Sequence, residues 1–207
     1  MTIDSMSLAE MRRIRHLRPD LADIADRLII ASYDEFVEVL YRDFDSCIRI
    51  IEEDPKVRQQ DGEDRLSTEI ISMLRAMNYD ASHDETIGGH SDIVIRGEKG
   101  YLWVGEAKIH SSYEKVMDGF NQLNTRYLRG TPHADQGALI IYIRNKDTAS
   151  VIKTWSEKMS GLGLIDYERN DCPVRQELGF YNAHKHEGSG RKVKIRHIGI
   201  NLHWQPV

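Results

Sequence analysis

Ala138-Leu-Ile-Ile-Tyr-Ile143 is a continuous apolar run, too short for an independent helix and of the right length for a strand. A strand without polar alternation is buried on both faces, which requires a covering layer on each side of its sheet. The flanking sequence offers such layers. From about Ser112 to Leu128, Val116, Phe120, Leu123 and Tyr127 recur on one helical face. Thr148 to about Ser160 is a second helix, stopped by Gly161 and Gly163. Upstream, Leu66, Ile70, Met73, Leu74 and Met77 form a stripe that ends near Asn78, and Tyr79 to Ile87 is a polar connection with a short strand. The pattern predicts an α/β sandwich with a mixed central sheet flanked by helices.

The first third is helical. Ser7 with Glu10 and Ser32 with Glu35 have capping-box spacing, and Pro19-Asp20 opens a helix through Ile24, Leu28 and Ile29. After Ser32, Phe36, Val37, Leu40, Phe44, Cys47 and Ile51 recur at helical intervals up to Pro55. The polar stretch 54–62 is the expected joint, which divides the chain into an N-terminal helical segment, 1–58, and a domain, 59–207. The N-terminal helices are expected to serve as core or as contacts to a second copy or a partner protein. With 207 residues and a charged fraction of 29%, the chain has the profile of a globular protein. It has no apolar run of membrane-spanning length and no secretory layout at its start, so a cytoplasmic location is expected. Cys47 and Cys172 stand far apart and read as reduced, buried thiols.

The chemistry concentrates in a hairpin. Gly88-Gly89 precedes an apolar strand, Ser91 to Ile95, and the turn Gly97–Gly100 returns the chain along Tyr101 to Ile109. Side chains alternate along a strand, so Glu106 and Lys108 share a face and Ala107 points away. Antiparallel pairing brings Asp92, at the start of one strand, beside Glu106 and Lys108 at the end of the other. Two adjacent carboxylates repel unless a cation neutralises them. A hard divalent ion held by Asp92, Glu106 and the Ala107 carbonyl suits oxygen ligands and leaves positions for water and phosphate. Lys108 is placed to orient a nucleophilic water or to offset charge on phosphorus.

Asp92, thirteen residues, then Glu106-Ala-Lys108 resembles the D…(D/E)xK motif of the PD-(D/E)xK, restriction-endonuclease-like nucleases, over roughly residues 60–145. Ser91 stands where the name-giving proline would be. The resemblance implies a restriction-endonuclease-like fold, Mg²⁺ or Mn²⁺ as cofactor, and metal-dependent endonuclease activity, on DNA rather than RNA. It also implies a role in prokaryotic defence, restriction or repair. The superfamily often adds a glutamate from the helix before the hairpin. Glu63, near the centre of the Leu66–Leu74 stripe, and Glu69, at its edge, compete for that role, with Glu63 preferred and the choice open. In some branches a glutamine and a tyrosine of the following helix contact the site. Gln122 and Tyr127 occur here five apart instead of four, which weakens that carry-over.

Other readings stand beside this one. The triad as a structural ion pair with a spare acid is costly, since apolar replacements of buried pairs often do as well. A nuclease fold that binds nucleic acid or scaffolds a complex without cleavage is the alternative function. The net charge of -5 excludes a polycation that coats nucleic acid, but a local basic patch exists. Lys185, Arg191, Lys192, Lys194 and Arg196 are expected either to contact phosphate or to protect a solvated sheet edge. In the last strand, Lys192 to Trp204, basic Lys192, Lys194 and Arg196 share parity with apolar Ile198, Ile200 and Leu202. A β-bulge near His197, or an exit from the sheet, would resolve that conflict. His90 reads as a turn residue first and a substrate contact second. No cysteine–histidine spacing suits zinc, and neither a phosphate-binding glycine loop nor a serine-nucleophile elbow is present.

Overall fold

The computed structural model describes residues 6–83 and 85–205. The chain divides into two compact units, 1–43 and 44–207, and the division falls inside one helix. In the first unit, α1 (Leu8–Arg13) begins with the Ser7–Glu10 capping box, both halves of which form. Helix α2 (Pro19–Leu28) has proline in its first turn, where the missing amide is no loss. Helix α3 (Tyr33–Glu53) starts after Ser32, whose hydroxyl accepts the Glu35 amide. Asp26 is buried and is met by the guanidinium groups of Arg12, Arg15 and Arg42, while Arg27 pairs with Asp43 at 2.9 Å.

The second unit takes the rest of α3. This half of the helix packs with the sheet, which explains why the division lies at Asp43/Phe44 instead of the polar stretch 54–62. Phe44 lies on Trp103 with ring centroids 5.7 Å apart, Asp45 pairs with Arg196, and Glu52 pairs with Arg175. Helix α4 (Glu63–Ala76) buries Leu66, Ile70 and Leu74, as the stripe predicts.

The strands are β1 (Asp80–Ser82), β2 (Glu85–Thr86), β3 (His90–Ser91), β4 (Ile93–Arg96), β5 (Leu102–Ile109), β6 (Gln136–Ile143), β7 (Glu168–Cys172), β8 (Gln176–Lys185) and β9 (Lys192–Asn201). Seven of them form one mixed sheet in the order β1-β4-β5-β6-β9-β8-β7, and β2 and β3 make a small separate ladder. Strands β5, β6 and β9 are parallel to one another, whereas every other pair in the sheet is antiparallel. All eight residues of β6 are buried. On one face Val104, Leu139, Ile141 and Ile195 pack with Phe120 of α5 (Tyr113–Gln122) and Trp155 of α6 (Thr148–Ser160). The architecture observed is α/β, a seven-stranded mixed sheet with helices, which is compatible with the expected sandwich. Full burial of each such side chain is worth about 1.5–3 kcal/mol relative to leaving it exposed.

Three details depart from expectation. Helix α5 does not continue regularly to Leu128: a π-helical turn, Leu123–Tyr127, ends it. β7 was not anticipated, because Glu-Arg-Asn-Asp offers no apolar alternation. It is an exposed edge strand, where charge discourages pairing with another chain. β9 has neither bulge nor exit at His197, since its register against β6 and β8 is continuous through that residue. The parity conflict is resolved by burial. Arg196 is 1% exposed and its Nη2 donates to both oxygens of Asp45 at 2.9 Å, so the face that starts with exposed Lys192 and Lys194 becomes interior from Arg196 onward.

The opposite face of β9 carries a buried chain of hydrogen bonds. Trp155 Nε1 donates to His197 Nδ1 (3.0 Å), and His197 Nε2 meets Asn182 Oδ1 (2.7 Å). Asn182 Nδ2 meets His184 Nδ1 (2.9 Å), and His184 Nε2 meets Asn124 Oδ1 (2.8 Å). Every link has one donor and one acceptor only if both imidazoles are neutral and protonated at Nε2. Burial depresses His184 to about 4 and His197 to about 3. The unfolded chain takes up these protons first, so their contribution is intact above the ordinary value of 6.5 and is lost as pH falls toward 4 and below. Urea denaturation at pH 7 and pH 5 should show a smaller acid-induced loss in His197→Gln than in the wild type, because glutamine keeps the donor and acceptor without titrating. Asp45→Ala should cost about 3–5 kcal/mol in the same assay, since it removes the carboxylate that balances a buried guanidinium.

Candidate active site

Strand β4 pairs with β5 only as far as Ile93 opposite Gly105. Strand β5 runs on to Ile109, so among the described residues its β4-side edge continues without a ladder partner. Acids occupy that edge. Asp92, one step beyond the last ladder pair, accepts the Ala107 N–H at 2.7 Å, and Glu63, at the start of α4, accepts the Ile109 N–H at 2.7 Å. Ser91 Oγ donates to the Gly105 carbonyl at 3.2 Å and holds the segment before Asp92 against β5.

Glu106 and Lys108 lie on the face that Val94 and Val104 share, toward α5, and Asp92, at the strand edge, has its carboxylate beside that of Glu106. Lys108 Nζ donates to Glu106 Oε1 at 2.5 Å, with side-chain exposures of 12% and 2%. The second Glu106 oxygen is buried and has no hydrogen-bond partner among the described residues. Burial, reinforced by the Asp92 charge, pushes the Glu106 carboxyl up to about 7 against the pull of Lys108. Burial likewise raises Asp92, although the Ala107 amide opposes it. Burial alone would lower Lys108, but its bond to Glu106 and the nearby acids hold it above the ordinary lysine value, so it stays cationic.

Of the two competing glutamates, Glu63 reaches the end of β5, where it also pairs with Lys115 of α5 at 2.5 Å. Glu69 is committed elsewhere: Arg58 Nη2 donates to it at 2.6 Å and Arg65 lies at 3.2 Å, and Arg58 is the main reason its carboxyl is lowered. Gln122 closes the α-helical part of α5, half-buried, and among the described residues it makes no hydrogen bond to Asp92, Glu106 or Lys108. The tyrosine in that helix is engaged instead. Tyr127 OH donates to the His90 carbonyl at 2.9 Å, two residues before Asp92. Its ring leaves no room for a side chain at Gly89, where a Cβ would approach it to 3.0 Å.

Lys185, Arg191, Lys192 and Lys194 are exposed, and Lys192 pairs with Glu168 at 2.6 Å. Arg196 does not join them, because its guanidinium is buried on Asp45 and unavailable to a phosphate. The exposed lysines of β9 stand level with Gln136 or before it. Glu106 and Lys108 stand level with Leu139 and Ile141, and β6 separates the two strands. The basic stretch is thus not brought to the acids.

The donor set suits a hard divalent cation. It comprises buried carboxylate oxygens, one of them uncommitted, and a carboxyl near neutrality whose residual proton such a cation displaces. Comparison with protein-family models, curated proteins and solved structures found no match.

Sequence pattern does not point to Lys115 or Gly119, which contact the site from α5, whereas Tyr127, named through the family resemblance, reaches the segment before Asp92. A glycine in the middle of an apolar helical stripe was the available signal for Gly119. Its place is explained by Lys108, whose Cγ and Cε would lie 2.7 Å and 3.1 Å from a Cβ there. Gly119→Ala should therefore displace the Lys108 side chain and remove the hydrogen bond that holds Glu106 down. In an NMR titration the Glu106 midpoint should move above its wild-type position near 7 while far-UV circular dichroism stays unchanged. An unmoved midpoint would show that Lys108 has room to spare.

Proposed function

We propose that the chain is a divalent-metal-dependent phosphodiesterase acting on nucleic acid, with DNA as the expected substrate and a restriction-endonuclease-like arrangement of its site. The observation that carries this reading is the meeting of Asp92, Glu106 and Lys108 where β5 runs on past β4, with one Glu106 oxygen lacking a hydrogen-bond partner among the described residues. Asp92, Glu106 and the Ala107 carbonyl are the groups that would hold Mg²⁺ or Mn²⁺. Such an ion polarises a phosphoryl oxygen and acidifies a water.

The chain's own groups complete the chemistry. The Ala107 amide fixes the rotamer of Asp92, so the carboxylate needs no reorganisation when substrate arrives. Lys108 holds a permanent ammonium at the site, where it stabilises the extra negative charge that phosphorus gains when a water oxygen attacks. Glu63 ties α4 and Lys115 to the end of β5 and so keeps the strand edge rigid beside the acids. A purely structural role accounts poorly for the excess of acid. Among the described residues, Lys108 and Lys115 are the lysines paired with Asp92, Glu106 and Glu63, which leaves one acid more than amines, and an unbalanced buried carboxylate costs several kcal/mol.

Incubation with plasmid DNA and Mg²⁺ or Mn²⁺ tests the reading. Wild type should cut, and Asp92→Ala and Lys108→Ala should each lower the rate by about 100-fold or more. Equal cutting by all three proteins would identify a contaminant. Salt-sensitive binding without cutting, at any metal concentration, would point instead to a non-catalytic nucleic-acid-binding module.

A further inference from the structure

We infer that Arg126 and Arg129, where the π-helical end of α5 meets the glycine bend before Asp92, hold the phosphate backbone of the DNA. The inference takes its ligand from the proposed function, but the contact itself requires no cleavage. Arg126 lies in the π-helical turn, Arg129 follows that turn, and both side chains are exposed. Among the described residues neither guanidinium has an ion-pair or hydrogen-bond partner. Other arginines of the larger unit are committed: Arg58, Arg96, Arg169, Arg175 and Arg196 each pair with a carboxylate.

Gly88 fixes where these two cations stand relative to the acids. It is exposed, four residues before Asp92, and has a positive φ of 71°. A Cβ there would lie 3.2 Å from Arg129 Nη2 and 2.5 Å from the Arg126 carbonyl oxygen. Bare backbone at the bend thus leaves the Arg129 guanidinium room to lie against it. Tyr127, between the arginines in sequence, reaches the same loop through the His90 carbonyl at 2.9 Å. Burial raises the Tyr127 hydroxyl most, Glu106 and Asp92 raise it further, and Arg126 opposes them. The acids and Arg126 therefore act on one ring from within electrostatic reach.

Charge explains why such a pair is needed. The chain carries a net charge of -5, and the carboxylates at the end of β5 repel a phosphate. Lys108 is engaged with Glu106 and Lys115 with Glu63. Lys185, Arg191, Lys192 and Lys194 are exposed, but β6 separates their strand from β5 and they are not brought to the acids. Arg126 and Arg129 are near the acids and uncommitted, and a guanidinium fork matches two phosphate oxygens. Substrate is thereby drawn along the glycine bend and the end of α5, not across β8 and β9.

Anisotropy of a fluorescein-labelled DNA duplex of mixed sequence, titrated with the full chain in EDTA and again in Ca²⁺ over a range of salt, tests the contact. Arg126→Gln/Arg129→Gln should bind at least tenfold more weakly than wild type and lower the slope of log affinity against log salt by about 2. Lysine at both positions should restore the slope. The thermal unfolding midpoint should stay unchanged, because both side chains are exposed and unpartnered. Lys185→Gln/Lys192→Gln/Lys194→Gln should bind as wild type does. Wild-type affinity and slope in the double arginine variant would overturn the inference, as would a loss confined to the lysine variant or no binding by wild type. Plasmid cutting separates this result from the proposed function. Arginine-dependent binding without metal-dependent cutting keeps the inference and removes the function. Cutting that needs Asp92 and Lys108 but proceeds equally well in the double arginine variant keeps the function and removes the inference.

Discussion

The site depends on how one strand edge is finished. Where β4 stops at Ile93, β5 continues to Ile109, and its outward amides at Ala107 and Ile109 need acceptors. An unpaired buried amide costs about 1–3 kcal/mol, so some group must take each one. Asp92 and Glu63 do so with side-chain oxygens instead of a strand. The same bonds that complete the sheet therefore draw two acids to its end, beside a third that the alternation of β5 already placed there. A neighbouring strand in their place would have satisfied the backbone equally well and left no charge. Concentrated negative charge is a consequence of the way this edge is closed.

Helix α5 is shaped around that result. It crosses the face that bears Glu106 and Lys108, and Gly119 gives the Lys108 stem space to lie beneath it. Its π-helical last turn carries Tyr127 to the His90 carbonyl and Asn124 to His184. One irregular turn thereby joins the loop before Asp92 to the buried chain of side-chain bonds that ends on Trp155. Gly88 records how closely the two approach, since a Cβ there would meet the Arg126 carbonyl oxygen at 2.5 Å. The positive φ of 71° at Gly88 is a second reason for glycine at that position.

The features legible in the sequence are those set by periodicity. The buried run at Ala138–Ile143, the stripe of α4, the limits of α6 and the shared face of Glu106 and Lys108 follow from side-chain spacing along regular elements. Contacts between elements that no local rule connects were not legible. Glu63 and Glu69 differ by less than two helical turns, and only the position of Arg58 decides which of them is drawn away. Arg196 looks like its basic neighbours until Asp45, 151 residues away, is placed against it. His83 and Asp64 carry no spacing that links them, because their side chains come within 3.8 Å only after α4 and β1 have packed. β7 escapes for a different reason, since an edge strand with no buried face has no hydrophobic alternation to read.

Two sets of buried charges in the larger unit differ in a way that bears on function. Arg196 and Asp45 carry one charge of each sign: both oxygens of the acid accept from the guanidinium, Cys172 Sγ lies at 3.2 Å, and the Tyr181 ring stacks under the cation at 5.6 Å. The two charges balance, and against the effect of burial the Asp45 carboxylate holds the cation well above the usual arginine value. At the end of β5 the match is incomplete. Among the described residues acids outnumber amines there, and the Glu106 carboxyl sits near 7 instead of in the usual carboxylate range. Packing alone favours charge sets that close upon themselves. One that stays acidic retains a desolvation cost that no charge within it offsets. That difference, more than the spacing of any motif, separates the acids that hold the fold together from the acids that are available for chemistry.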